Sequence, residues 1–110
     1  MVEEISECEF TSLEHKPLAV IDFYAEWCMP CVVQGPVMDE IASKFLGKIH
    51  FVKVNVDDCN KLAQKFKVMS IPTIVVLKQG KEIGRMVGMQ QAEILEEKMR
   101  KFLCGCCCKR

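Results

Sequence analysis

Two cysteines, Cys28 and Cys31, stand two residues apart where an apolar, strand-like run gives way to a helical pattern. The segment reads Phe23-Tyr24-Ala25-Glu26-Trp27-Cys28-Met29-Pro30-Cys31. A thiol held at a helix N-terminus meets unpaired backbone N–H groups and the positive end of the helix dipole, and both favour the thiolate. A second thiol three positions on lies one turn away, close enough to close a small disulfide ring. Such a pair can pass two electrons to or from another protein's disulfide, so the segment predicts dithiol–disulfide exchange. Cys28, nearer the helix start and more exposed, is the expected attacking thiolate, and Cys31, one turn deeper, resolves the mixed disulfide. The same spacing also serves as half a zinc site. A zinc ribbon needs a second pair about 15–20 residues on, and only the single Cys59 lies within reach in sequence, which favours redox chemistry.

The elements that must hold this pair follow from periodicity. Ser6-Glu7-Cys8-Glu9 has capping-box form and predicts a short helix over residues 7–15. Leu18 to Ala25 is an apolar run of strand length, as expected for a strand buried on both faces. From Pro30, apolar residues recur at helical spacing (Val33, Val37, Ile41), with Pro36 expected to bend the helix and Gly47 to end it. Lys48 to Val56 is a strand, Asp57 or Asp58 is positioned to cap a short helix through Leu62, Ala63 and Phe66, and Ile71 to Leu77 is a third central strand. Lys78-Gln79-Gly80-Lys81 reads as a hairpin turn into Glu82–Val87, and a closing helix carries Leu95, Met99, Phe102 and Leu103 on one face. The order β, short α, β, α, β, α, β, β, α implies an α/β fold with parallel pairing through right-handed crossovers and an antiparallel edge.

A chain of 110 residues forms one domain. Its formal net charge of zero gives no electrostatic reason to expect nucleic acid or an anionic membrane as partner. The acidic N-terminal residues lack the form of a secretory signal, and no apolar stretch approaches the roughly 20 residues of a membrane helix. The expectation is a cytoplasmic protein whose eight cysteines are free, catalytic or metal-binding thiols.

Taken together, these residues resemble the thioredoxin family from about Ile5 to Leu103. The resemblance rests on Asp22 in a strand, Trp27-Cys28-Met29-Pro30-Cys31, Pro36, Ile71-Pro72-Thr73 and Gly88, in that order. A CxxC pair beside a βαβ pattern is itself a recognised mark of thioredoxin-like redox proteins. Met29 replaces the usual Gly, and Val32 stands where many members carry Lys. The resemblance implies a thioredoxin fold, a mixed sheet of about five strands flanked by about four helices. It also implies reduction of protein disulfides, no bound cofactor, and recycling by a flavin-dependent thioredoxin reductase. A monomer is expected. The family potential near −270 mV favours reduction of accessible disulfides.

Asp22 is an ionisable group in an apolar strand, and burial should raise its pKa. By resemblance it accepts the Cys31 proton, with Lys53 on the adjacent strand modulating it; a purely structural Asp–Lys pair is the alternative. Pro72 is expected, again by resemblance, to follow a cis peptide beside the dithiol, leaving the Ile71 backbone to pair with an extended substrate; otherwise it simply starts a strand. Trp27, Met29, Pro30, Ile71, Gly88 and Met89 would form an apolar rim round Cys28, with Met69 joining them. Flexible methionines suit varied partners, although core packing is their commoner use. Cys59 is expected to be an exposed thiol and Cys8 a packing residue; His15 and His50 receive no role.

Residues 1–103 are thus the expected domain, and Cys104-Gly105-Cys106-Cys107-Cys108-Lys109-Arg110 a cysteine-rich, disordered tail. Cys104, Cys106, Cys107 and Cys108 suit a soft metal such as Zn²⁺ or Cu(I), a mobile dithiol, or acylation that tethers the domain to a membrane. They also fit a tail with no essential role. The readings that compete with a reductase are a less reducing oxidase or isomerase, a partner-binding module, and a metal carrier using the tail.

Overall fold

The computed structural model describes residues 2–108, with side chains described through Leu103. Five strands form one sheet in the order β1-β3-β2-β4-β5. They are β1 (Glu3–Glu4), β2 (Ala19–Tyr24), β3 (His50–Asn55), β4 (Thr73–Lys78) and β5 (Lys81–Val87). β1, β3 and β2 run parallel, and β4 and β5 add an antiparallel pair. The predicted α/β order and mixed five-strand sheet are both present. Glu7–His15 forms the first helix, wound as a 3₁₀-helix, and the α-helices are α1 (Met29–Lys44), α2 (Asn60–Lys65) and α3 (Ala92–Cys108).

Alternation along β2 sorts the core into two layers. Val20 faces one side with Met38 and Ile41 of α1 and Leu95 and Met99 of α3. Ile21 and Phe23 face the other with Phe10 and Leu13 of the 3₁₀-helix, Leu62 and Phe66. Because both faces are covered, the strand reads as a continuous apolar run, and Asp22 is the exception in it. α1 passes through Pro36 without interruption from Met29 to Lys44.

Two local expectations change. Neither Asp57 nor Asp58 caps α2: its N-cap is Cys59, and the N–H groups of Lys61 and Leu62 donate to Glu7 Oε2 at 2.7 and 3.3 Å. The cap arrives from a residue more than fifty positions away, where no local pattern points. The helix over residues 7–15 is 3₁₀, although Ser6 N–H donates to Glu9 Oε1 at 2.8 Å as the capping pattern requires.

Where α3 crosses β5, Gly84 leaves room for an aromatic ring. A Cβ at this position would lie 2.7 Å from Phe102 Cζ. Gly84→Ala should therefore lower stability by about 1–3 kcal/mol through overpacking, seen as a lower urea midpoint with an unchanged denaturant slope. The backbone of α3 continues as helix through Cys108, past the boundary expected at Leu103. The metal, shuttle and acylation readings of Cys104, Cys106, Cys107 and Cys108 concern side chains outside the described set, as are Lys109 and Arg110.

Candidate active site

Cys28 is the N-cap of α1, with Met29 and Pro30 in the first turn. Its extended backbone, φ −92° and ψ 107°, turns the chain out of the strand and into the helix. The Cys31 N–H donates to Cys28 Sγ at 3.3 Å, so a free donor of the helix start is spent on the sulfur. Cys28 Sγ also lies 3.8 Å from the Ile71 carbonyl oxygen. The peptide between Ile71 and Pro72 is cis, as the resemblance implies, and β4 begins at the next residue.

The expected contrast in exposure between the two thiols is small. Cys28 is 6% exposed and Cys31 4%, because Ala25, Tyr24, Val56 and Ile71 close round them as an apolar cluster. What separates them is hydrogen bonding. Burial and donation of the Cys31 thiol proton to Cys28 push the Cys31 pKa up to about 12. The Cys31 thiol therefore holds its proton near neutral pH, and that proton must leave before this sulfur can act as a nucleophile.

Asp22 is buried in the same layer, with Oδ1 lacking a hydrogen-bond partner among the described residues. Desolvation pushes its pKa up to about 7, against the pull of Lys53 and with a smaller push from Asp39 on α1. Lys53 is its register partner on β3, which puts both side chains on one face. Asp22 also acts electrostatically on Cys31. A carboxyl that titrates near neutrality beside a thiol that does not is suited to take that thiol's proton.

Four of the side chains expected around Cys28 are solvent-exposed. Trp27 and Met29 are 70% and 67% exposed, Met69 93% and Met89 48%. These methionines are surface residues rather than core. Gly88, with φ +92°, donates its N–H to the Pro72 carbonyl at 2.8 Å, which holds the rim loop against the start of β4.

Several contributors carry no local signal. Trp27 Nε1 donates to Asp57 Oδ2 at 2.9 Å, fixing the indole over the α2 side of the site. Gln34, fully buried on α1, accepts from Gln90 N–H at 2.7 Å and donates to Gln90 O at 3.1 Å, pinning the loop that carries Met89. The other two cysteines of the domain exchange their expected places. Cys59 is buried with Sγ on the Ile5 carbonyl, and burial raises its pKa. Cys8 is exposed beside Ser6 Oγ. Among the described residues, no three His, Cys, Asp or Glu side chains gather as a metal site, and no helix is long and apolar enough to cross a membrane.

A thiol pair at a helix start, a buried carboxyl behind it and an apolar rim in front define a dithiol oxidoreductase site. A sequence model of one family, described as Thioredoxin, matches residues 2–101. Thioredoxins from Staphylococcus aureus strains Mu50 and MW2 are each 36% identical over 102 residues, covering 93% of this chain and 98% of the relative. The chain belongs to the thioredoxin family. It is a thiol–disulfide oxidoreductase with protein-disulfide reductase activity.

Proposed function

We propose that Cys28, Cys31 and Asp22 carry this activity in one sequence of proton and electron transfers. The Cys28 thiolate attacks one sulfur of a substrate disulfide; a Cys28–substrate bond forms, and the other substrate sulfur leaves as a thiolate that takes a proton. Asp22 takes the Cys31 proton. The Cys31 thiolate then attacks Cys28 Sγ, closing the Cys28–Cys31 disulfide and expelling the second substrate sulfur. The substrate gains two electrons and the protein loses two. The observation that carries this reading is the division of labour at the helix start. One sulfur accepts the N–H of Cys31, and the other holds its proton beside a carboxyl able to remove it.

Trp27, Met29, Pro30, Ile71, Gly88 and Met89 seat the substrate, with the Ile71 and Pro72 backbone aligned beside the attacking sulfur. An uncharged, methionine-rich rim favours partners by shape rather than by charge. Lys53 moderates Asp22. Substrates are disulfide-containing proteins, and a flavin-dependent thioredoxin reductase restores the dithiol. The chain binds no cofactor and works as a cytoplasmic monomer in electron transport and redox homeostasis.

The test is reduction of a model protein disulfide by catalytic amounts of this chain, with dithiothreitol or NADPH plus a thioredoxin reductase as electron source. The full chain and a chain ending at Leu103 are expected to turn over at the same rate to within about twofold, because every group invoked precedes Cys104. Loss of turnover on truncation would place the tail cysteines in the electron path.

A further inference from the structure

A row of side chains runs across one face of the sheet beside the dithiol. Glu4 of β1 is in register with Lys53 of β3, and Lys53 is in register with Asp22 of β2. Facing residues of neighbouring strands point to the same side, so the Lys53 cation stands between two carboxylates. Its tether is Tyr24, two residues after Asp22 and on the same face of β2. The Lys53 ammonium sits over the Tyr24 ring, 5.4 Å from its centre, within the range of a cation–π contact. The Tyr24 hydroxyl donates to Glu4 Oε1 at 2.9 Å. One aromatic side chain therefore holds the cation with its face and the competing carboxylate with its tip.

We propose that Tyr24 and Glu4 are positioning residues for disulfide reduction, fixing the Lys53 cation beside Asp22 and thereby setting how readily Asp22 takes the Cys31 proton. This rests on the reading of Asp22 as proton acceptor and extends it to an edge strand that touches neither thiol. With Glu4 tied to the hydroxyl, its charge is partly satisfied and Lys53 stays on the ring, on the Asp22 side. If the hydroxyl is lost, Glu4 is free to draw Lys53 outward. The Asp22 carboxylate then loses the one counter-charge that acts on it among the described residues. The groups that act on Asp22 are Lys53 from β3 and Asp39 from α1, which also accepts the Val2 N–H at 2.9 Å. Cys31 faces it from α1, and Ile74, its β4 register partner, is uncharged. Glu26 and Glu4 act on Tyr24, and burial with these neighbours keeps its hydroxyl protonated. Among these groups, Lys53 alone is a cation.

The experiment is a titration of the Asp22 side-chain carboxyl carbon by NMR in the reduced protein, for wild type, Glu4→Gln and Tyr24→Phe. The wild-type midpoint is expected near 7. Glu4→Gln removes the competing charge and should move the midpoint down. Tyr24→Phe keeps the ring but frees Glu4, and should move it up. Each displacement is expected to be about half a pH unit, roughly threefold in ionisation constant, and the rising limb of the reduction rate should move with it. Midpoints indistinguishable from wild type in both variants would overturn the proposal. The titration needs no turnover, so it reports on the clamp even if the chain reduced nothing, an outcome that would count against the reductase mechanism instead. Should Tyr24→Phe fail to fold, Glu4→Gln, at an exposed side chain, decides alone.

Discussion

Cys28→Ser is expected to abolish disulfide reduction, with a fall of at least about a thousandfold, while leaving the fold intact. A serine hydroxyl does not ionise near neutral pH and is a poor nucleophile toward sulfur, so no mixed disulfide forms. The replacement is nearly isosteric, serine fills the N-cap role well, and within the apolar cluster its hydroxyl can donate to the Ile71 carbonyl that Cys28 Sγ faces. Stability should therefore change by no more than about 1 kcal/mol. Cys31→Ser should behave differently. Attack by Cys28 remains possible, but resolution does not, so the variant should stall as a stable adduct with its substrate. Stopped-flow traces with a tryptophan signal would separate the two, because Trp27 adjoins Cys28 and is mostly exposed to the incoming partner.

Asp22→Asn should make the protein more stable and a slower catalyst. In the unfolded chain this carboxyl ionises near its ordinary value of 3.8, whereas in the fold burial holds it at about 7. Between these two values the folded state binds the proton that the unfolded state has lost. Wild-type stability therefore falls as pH rises from about 4 to about 7 and is level above. The accumulated loss corresponds to about 4 kcal/mol, an upper figure for a group coupled to Lys53. The asparagine variant should lack this dependence and exceed wild type by a few kcal/mol at pH 8, with little gain at pH 4. Urea unfolding at the two pH values measures both. Release of product from the mixed disulfide should slow by about a hundredfold at pH 7, in line with loss of a general base. Equal wild-type stability at both pH values would mean that the fold does not raise the Asp22 pKa above its ordinary value, and the buried-acid account would fail.

Much of this was legible in the chain because it is local. The CxxC pair announces itself by spacing, and the switch from a continuous apolar run to helical spacing places it at a helix start. An aspartate interrupting a run such as Ala19–Tyr24 marks a buried carboxyl without any tertiary knowledge. The cis peptide before Pro72, by contrast, is expected only from the family resemblance of Ile71-Pro72-Thr73, because no local pattern distinguishes it from a proline that starts a strand. What escaped is what folding brings from afar. Asp57 reaches Trp27 across 30 positions, Gln34 reaches Gln90 across 56, and Glu7 caps α2 across more than fifty. Each is a single polar side chain with no periodic partner, so a window of neighbouring residues cannot distinguish it from a solvated one. The exchanged fates of Cys8 and Cys59 have the same origin. Cys59 opens a helix that packs under Ile5, while Cys8 lies on the outward side of the 3₁₀-helix. Glu4 illustrates the limit most clearly: on a two-residue edge strand it looks like surface charge, yet register places it one lysine away from Asp22.

The most direct measurement is mass spectrometry of the Cys31→Ser variant after reaction with a disulfide-bonded protein, with each cysteine-containing peptide identified. The mechanism predicts one dominant adduct, joined through Cys28, that dithiothreitol reverses. Adducts spread over Cys8, Cys59 or the cysteines beyond Leu103, with Cys28 left free, would contradict it.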